Sequence, residues 1–291
     1  MTVLVTGAGG QVGRALVRLG PELGTDVVGL DRAALDVTDA AAVRDAVAGL
    51  RPDAIVNAAA YTAVDRAEAE PGAAYAVNRD AAGYLAEAAE SAGVPLVHIS
   101  TDYVFDGTKG GPYAPDDPVA PLNVYGASKA AGEEAVRAVT GRAVILRTAW
   151  VFDGTANNFV TTMLRLATER PRLTVVADQW GHPTPAADVA RGALAAARRA
   201  ADGLAGTVHF GGLPLATWHD LATAAVDAGH AAGLSPLVPI DPVPTEAYPT
   251  AARRPQRVEF DLTASLEALG LSAAPDWRLG LVEEIQRGLG S

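Results

Sequence analysis

The stretch that decides the fold is Val3-Leu4-Val5-Thr6-Gly7-Ala8-Gly9-Gly10-Gln11-Val12-Gly13. It begins as a short apolar strand, passes through a glycine-rich turn and runs directly into a helix. Glycine lets the backbone turn sharply and approach a ligand, and a helix N-terminus offers free N–H groups and a positive dipole end. A flexible turn without a ligand is the alternative, but the order of the three parts favours a dinucleotide site. The residues expected to contact the dinucleotide here are Gly7, Gly10, Gln11, Val12 and Gly13.

Short apolar segments alternate with helical segments through the first half of the chain, as in βαβ units. The first five apolar segments show no polar–apolar alternation, so they should form parallel strands covered by helices on both faces. The predicted fold is therefore α/β, a Rossmann-type doubly wound parallel sheet. The predicted strands are Val3–Thr6, Val27–Leu30, Ala54–Asn57, Leu96–Ser100, Ala143–Arg147 and Val208–Phe210. The predicted helices lie near Gln11–Arg18, Ala40–Ala48, Ala74–Ala92 and Val124–Val139.

The pattern loosens after Trp150, where Pro-rich stretches and a final amphipathic segment, Trp277–Leu289, suggest a smaller C-terminal substrate-binding lobe over the carboxyl edge of the sheet. Asp188–Ala200 and the strand at Val208 should return to the sheet. We expect a dinucleotide-binding domain of residues 1–152, completed by roughly 186–212. The lobe would then comprise residues 153–185 and 213–291.

Composition excludes several classes of function. The 291 residues are 49% hydrophobic and 20% charged, which is typical of a globular protein. The chain has no cysteine, its five histidines are scattered, and no apolar run is long enough for a membrane span, so we expect a cytoplasmic protein without a metal site. A net charge of -11 argues against nucleic acid as a partner, while a small phosphorylated ligand held by local positive groups stays open.

The second predicted strand ends at Asp31, where a carboxylate can accept hydrogen bonds from the adenosine ribose. Arg32 follows and could instead bind the 2′-phosphate of NADP, so the pair leaves open whether the cofactor is NADH or NADPH. A little further on, we expect Asp36 and Val37 near the adenine and Asp39 as the N-cap of the next helix.

The third strand runs into small residues at the edge that would face the nicotinamide half of a dinucleotide. Small side chains leave room for the cofactor, although an ordinary alanine-rich strand end is as good an explanation of these letters alone. The residues assigned to the cofactor here are Ala59, Ala60, Tyr61 and Thr62.

Catalytic chemistry is predicted where the fourth strand ends and a later helix begins. Tyr125 and Lys129 are four residues apart, so they share one face of a helix. A cation beside a phenol lowers its pKa, which would make proton exchange with a carbonyl oxygen practical near neutral pH. Lys129 could also bond the nicotinamide ribose, and Thr101 at a strand tip could orient the same oxygen. A Tyr-x-x-x-Lys pair alone usually marks a solvated face, but here it follows a dinucleotide turn.

These residues make the chain resemble the extended short-chain dehydrogenase/reductases, and among them the dTDP-4-dehydrorhamnose reductase family. The resemblance covers nearly the whole chain and is more specific than the glycines. Besides residues 7–13, it is carried by the segments 57–65 with Glu68, 100–107, 121–126, 147–151, 157–159 and 178–184.

The resemblance implies a catalytic trio of Thr101, Tyr125 and Lys129, with Asp102 and Trp150 against the sugar. The implied reaction is the NADH- or NADPH-dependent reduction of the 4-keto group of dTDP-4-dehydro-β-L-rhamnose to dTDP-β-L-rhamnose. Arg254 is suited to the diphosphate of this dTDP-sugar, although solvated surface charge is its plain alternative.

The chain departs from the family pattern after Arg254-Pro255, where Gln256-Arg257-Val258 replaces the usual polar residue and Ser or Thr. A related nucleoside-diphosphate 4-keto-6-deoxyhexose in a secondary-metabolite pathway is therefore an open alternative substrate. Family members in some cases form magnesium-linked dimers. Magnesium and a homodimer are therefore both open for this chain, without a metal site placed on Glu283 and Glu284.

Two rival functions belong to the same fold. The nucleotide-sugar 4,6-dehydratases carry two acidic residues directly after the catalytic threonine, whereas this chain has Asp102 followed by Tyr103. Elimination thus lacks its second carboxylate, which favours reduction. A non-catalytic NADP-binding subunit resembling the methionine adenosyltransferase β chain stays open, although the intact catalytic trio argues against it.

Overall fold

The computed structural model describes residues 1–155 and 157–289. Its strands are β1 (Thr2–Thr6), β2 (Asp26–Leu30), β3 (Ala54–Asn57), β4 (Leu96–Thr101), β5 (Ala143–Thr148), β6 (Val151–Phe152), β7 (Leu173–Val176), β8 (Trp180–Gly181), β9 (Thr184–Pro185), β10 (Gly206–His209), β11 (Ala216–Thr217) and β12 (Ile240–Val243). The α-helices are α1 (Gln11–Glu22), α2 (Ala40–Leu50), α3 (Val64–Ala69), α4 (Pro71–Tyr75), α5 (Ala81–Ala92), α6 (Val124–Val139), α7 (Phe159–Glu169), α8 (Ala186–Ala201), α9 (Trp218–Ala231), α10 (Thr263–Leu269) and α11 (Trp277–Leu289).

Six strands form one parallel sheet in the order β10-β5-β4-β3-β1-β2. The chain moves from β1 to β2 on one side and then returns to place β3 on the other, so the strand order reverses between β1 and β3. Ligands of open α/β sheets bind outside the carboxyl ends of the strands at such a point. The predicted Rossmann-type sheet and its six strands are confirmed.

The two faces of the sheet form separate parts of the core because successive side chains of a strand point to opposite sides. Val3 and Val5 of β1 pack with residues of α1 and α8, whereas Leu4 packs with residues of α2, α5 and α6. Helices thus cover both faces, as expected. Strand β2 is the exception. It lies at the sheet edge and is only partly buried, so the expectation that helices cover both of its faces is wrong.

The helix predicted near Ala74–Ala92 is present, but it is not a regular α-helix throughout. A π-helical turn, Ala76–Asp80, separates α4 from α5 and carries the fully buried Asn78. Such turns insert into an otherwise helical pattern without a break in its apolar residues, which is why the sequence shows none. By contrast, Asp39 caps α2 as predicted, since its carboxylate accepts hydrogen bonds from the N–H groups of Ala41 and Ala42.

The second half is more regular than its sequence suggests. Helix α7 begins with a capping box of Asn158 and Thr161, and α9 begins with one of Thr217 and Asp220. These helices pack together with β7 and β12 and form the wall of a cleft beside the sheet. Helix α10 instead contacts α8 and β10. The proposed division into 1–152 with 186–212, and 153–185 with 213–291, stays a prediction, and residues 156, 290 and 291 of the second part lie outside the described residues.

Candidate active site

The glycine-rich turn is tightly packed where β1 ends. Gly7 has a φ of +72°, and a Cβ there would lie 2.6 Å from the backbone nitrogen of Ala59. A Cβ on Gly13 would lie 2.2 Å from the carbonyl oxygen of Gly7. Both contacts are closer than real Cβ atoms permit, so the turn and α1 can meet β3 this closely only with glycine at these positions.

The start of α1 is suited to a diphosphate. Its N-cap, Gly10, has no side chain to bond the first-turn N–H groups, and the first turn carries no acidic residue. Those N–H groups and the helix dipole are therefore available to an anion. A cleft of about 400 Å³ beside the turn is lined by Ala8, Gly9, Arg14 and Asp31 among others. The donor set and the space fit a dinucleotide.

The predicted adenosine-side residues lie at the adjacent end of β2. The Asp31 carboxylate accepts hydrogen bonds from the N–H groups of Ala33 and Ala34, at 2.9 and 3.0 Å, and Arg32 is exposed beside it. Asp36 accepts hydrogen bonds from the N–H and hydroxyl of Thr38, which lower the pKa of its carboxyl. The Val37 side chain packs in the core, so only its backbone can meet a ligand.

The segment from Ala59 to Thr62 follows β3 and is held by a residue that the sequence did not single out. Asn78 accepts a hydrogen bond from the Tyr61 N–H at 2.8 Å and donates to the Tyr61 carbonyl and to Ser128 Oγ. It thereby ties this segment to α6, which carries the predicted catalytic pair. The feature that identifies Asn78 is its place in a π-helical turn, because such turns are frequent at functional sites.

Thr101 ends β4 and lies where the reacting carbonyl is expected. Its hydroxyl accepts a hydrogen bond from the Tyr103 N–H and donates one to Asp102 Oδ1 at 3.0 Å. Asp102 is almost wholly buried, and burial raises the pKa of its carboxyl to about 7, despite the hydrogen bond from Thr101. This carboxyl can thus carry a proton near neutral pH.

Tyr125 lies in the first turn of α6, directly against the end of β4. Helix α6 packs closely on the residues that follow β4, since a Cβ on Gly126 would lie only 2.1 Å from the Tyr103 carbonyl oxygen. The Tyr125 ring meets that of Tyr103 edge-on at 5.6 Å between centroids. Burial raises the pKa of Tyr125 to about 12, while a hydrogen bond with Thr101 opposes the rise. The phenol therefore keeps its proton at neutral pH, as a proton donor requires.

Lys129 shares the helical face of Tyr125, but its predicted effect on the phenol is wrong in this structure. Its Nζ donates to the Ile99 carbonyl at 2.6 Å and lies 3.3 Å from His98 Nε2. The pKa of Tyr125 is shifted by its burial, Thr101 and Asp102, and Lys129 does not lower it. Burial instead lowers the pKa of the Lys129 amine to about 8, and the negative charge of Glu133 partly opposes this shift.

A cavity of about 650 Å³ adjoins Tyr103 and opens between α3, α7 and α9. Trp218 lines it together with Phe159, Gln179 and Arg254. Trp150, which the sequence placed against the sugar, stacks behind Trp218 at 3.6 Å between ring centroids. The sequence therefore missed the indole that faces this cavity, because Trp218 is 68 residues from Trp150 and near none of the strand ends of the sheet.

Arg254 joins the cavity to a neighbouring cleft of about 690 Å³. Its guanidinium makes a bidentate ion pair with Asp65, at 2.6 and 2.7 Å, and a hydrogen bond with Tyr103. The neighbouring cleft is lined by Arg253, Arg257 and Trp180 among others. Arginine side chains thus line this cleft, as the binding of an anionic group requires.

Within residues 1–155 and 157–289, no three His, Cys, Asp or Glu side chains come together as a metal site. Glu284 is buried and pairs with Arg287 at 2.7 Å. Magnesium, left open by the sequence, is therefore unsupported. In the same part of the chain, no helix combines the length and apolar character that crossing a bilayer demands.

Comparison with known proteins decides the family. The RmlD substrate binding domain family matches residues 1–289. A dTDP-4-dehydrorhamnose reductase of Burkholderia thailandensis is 46% identical over 287 residues, which cover 96% of each chain. This chain belongs to the RmlD family. The resemblance to dTDP-4-dehydrorhamnose reductases, and through them to the extended short-chain dehydrogenase/reductases, is confirmed.

Solved structures of RmlD-type reductases agree with this assignment along the whole chain. A dTDP-4-dehydrorhamnose reductase of Clostridium acetobutylicum is 35% identical, has a TM-score of 0.91 and covers all of both chains. Its counterpart from Bacillus anthracis, solved in complex with NADP, is 37% identical, has a TM-score of 0.89 and covers 98% of this chain and 99% of its own. The fold described above is therefore that of the family.

Proposed function

We propose that this chain reduces the 4-keto group of dTDP-4-dehydro-β-L-rhamnose to dTDP-β-L-rhamnose with NADPH or NADH. The observation that carries the proposal is the placement of Thr101 and a protonated Tyr125 together, between a dinucleotide turn and a cavity lined by arginine and indole. The names of the RmlD relatives and the NADP bound by the Bacillus anthracis protein support the choice of substrate and cofactor.

The catalytic residues act on the carbonyl oxygen. The cofactor, when bound, supplies the hydride that reduces the carbonyl carbon. The Thr101 hydroxyl, whose single proton points to Asp102 in this structure, turns to donate that hydrogen bond to the oxygen and orients it. Tyr125 gives the oxygen its phenolic proton as negative charge develops there. A pKa of about 12 keeps the proton on Tyr125 until that moment, because the alkoxide is a much stronger base than the carbonyl. Lys129 binds the nicotinamide ribose and keeps the cofactor beside the reacting carbon.

The binding residues divide between the two ligands. The glycine turn, Asp31 and the segment 59–62 hold the dinucleotide, with Asp36 and Val37 near its adenine. Trp218 offers the deoxysugar a flat apolar platform, backed by Trp150, and Asp102 lies beside the reacting group. Arg254 lines both clefts, and its planar guanidinium would bind the diphosphate in exchange for part of its ion pair with Asp65.

The test is turnover of the purified protein with NADPH or NADH and dTDP-4-dehydro-β-L-rhamnose, with the product identified by NMR. We expect cofactor oxidation to match sugar reduction one to one. Turnover of another nucleoside-diphosphate 4-keto-6-deoxyhexose at a higher kcat/KM would contradict the substrate assignment. Cofactor binding without turnover of either sugar would favour a non-catalytic NADP-binding subunit.

A further inference from the structure

His98 is a buried histidine between β3 and α6 that the reaction described above does not use. It lies in β4, three residues before Thr101, and its side chain has no exposed surface. Its Nδ1 lies 3.0 Å from Asn57 Nδ2, and its Nε2 lies 3.3 Å from Lys129 Nζ. The imidazole thus connects the end of β3 to the catalytic lysine.

The orientation of the Asn57 amide follows from the backbone. The Ala59 N–H donates to Asn57 Oδ1 at 3.1 Å, and the Thr6 hydroxyl donates to the same oxygen at 2.8 Å. A backbone N–H can only donate, so the oxygen of the amide must face it and the NH2 group must face His98. Because an NH2 group offers no acceptor, His98 Nδ1 accepts, and the neutral ring carries its proton on Nε2.

The proton on Nε2 points at Lys129. An ammonium has three donors and no acceptor, so it would oppose this N–H, whereas an uncharged amine has one lone pair to receive it. The uncharged amine also satisfies its other contact by donating to the Ile99 carbonyl at 2.6 Å. The same hydrogen-bond pattern therefore requires a neutral imidazole and a neutral amine together.

The surroundings of the pair disfavour a positive charge on either group. Burial and the positive charges of Lys129 and Arg137 hold the pKa of His98 well below its ordinary value. Burial lowers the pKa of Lys129 to about 8, and Glu133 on the next turn of α6 raises it. Glu133 has a limited effect because Arg147 binds it with two hydrogen bonds, at 2.7 and 2.8 Å, and Arg137 binds it with a third.

We propose that His98 is a positioning residue for Lys129, donating its Nε2–H to the uncharged amine and holding it on the Ile99 carbonyl in the cofactor-free protein. The amine then takes up a proton from solvent when it leaves His98 for the nicotinamide ribose. This inference deepens the proposed function, since it rests on the assignment of Lys129 to the reductase site.

The first test reads the tautomer directly. The protein labelled with ¹⁵N-histidine is studied by NMR without substrate, and the His98 signals are identified by their loss in His98→Gln. We expect an unprotonated Nδ1 and a protonated Nε2 at pH 9, above the Lys129 pKa of about 8. A proton on Nδ1, or a doubly protonated ring, would overturn the proposal. This outcome does not depend on which sugar the enzyme reduces, so it separates failure of this inference from failure of the proposed function.

The second test compares two variants by kinetics. In His98→Gln, the side-chain oxygen can accept from Asn57 while its NH2 donates to Lys129, whereas His98→Leu can do neither. We expect kcat to fall about tenfold to a hundredfold in His98→Leu, with a weaker affinity for NADPH and an unchanged KM for the sugar, and to recover to within about threefold in His98→Gln. Equal kcat in the two folded variants, whether both values are lowered or both are near that of the wild type, would overturn the proposal. If His98→Leu does not fold, the kcat of His98→Gln and the tautomer decide.

Discussion

Replacing Tyr125 by phenylalanine removes the one atom that the proposed proton transfer uses. The ring and its edge-on contact with Tyr103, at 5.6 Å between centroids, are kept. Only the hydroxyl and its hydrogen bond with Thr101 are lost, so the free energy of unfolding should change by about 1 kcal/mol. General acid catalysis contributes about 10²–10⁴-fold, which corresponds to about 3–5.5 kcal/mol of the activation barrier. We expect kcat to fall by that factor.

The assay is the initial rate of NADPH oxidation with saturating keto sugar, beside a thermal melt and an NADPH titration. Tyr84→Phe is the matched control, because Tyr84 lies in α5 and lines neither the cleft beside the glycine turn nor the cavity beside Tyr103. The control should keep the wild-type kcat, and both variants should bind NADPH as the wild type does. A Tyr125→Phe enzyme that folds and turns over near the wild-type rate would show that the proton comes from another group.

Four further substitutions test other parts of the structure. Trp218→Ala should raise the KM for the sugar at least about tenfold, through loss of an aromatic platform, while NADPH affinity is unchanged; an unaltered KM would remove Trp218 from the sugar site. Arg32→Ala should raise the KM for NADPH more than that for NADH, and equal effects would show that Arg32 does not meet the 2′-phosphate. Gly7→Ala should lower the free energy of unfolding, measured by urea denaturation, by about 2 kcal/mol or more, because Gly7 has a positive φ and an added Cβ would clash with the Ala59 backbone. A variant as stable as the wild type would contradict the packing described. Burial raises the pKa of Asp102 from 3.8 to about 7, so the stability contributed by its protonated form is fully present below about pH 4 and is lost as the pH rises through 7. The free energy of unfolding of Asp102→Asn should therefore rise relative to that of the wild type across that pH range, by on the order of 4 kcal/mol. A difference in stability that does not change with pH would refute the raised pKa.

The parts of the site that the sequence predicted well depend on short separations along the chain. The glycine turn follows β1 immediately, and the spacing of Tyr125 and Lys129 puts both on one helical face whatever surrounds them. The sheet was equally predictable from the sequence, because β1, β3, β4 and β5 are buried on both sides and their near-continuous apolar runs indicate this burial directly. Asp39 was recognised because a cap bonds only the helix that follows it.

The parts that the sequence predicted poorly depend on contacts between distant segments. Trp218 and Trp150 are both tryptophans near an element end, and only the packing of α9 decides which indole faces the cavity. Asn78 gained its role from a π-helical turn that leaves the apolar pattern intact.

The sequence by itself determined the Rossmann-type sheet and the glycine-rich turn and predicted the proton-donating pair, since each follows from local periodicity, glycine geometry or helical spacing. Only the tertiary structure decided the electrostatic state of that pair. Lys129 meets His98 and Ile99, 31 and 30 residues away, and these neighbours and the depth of burial set its pKa and that of Tyr125. A pKa depends on the solvent and charges that surround a group in space, and the order of residues along the chain does not specify them.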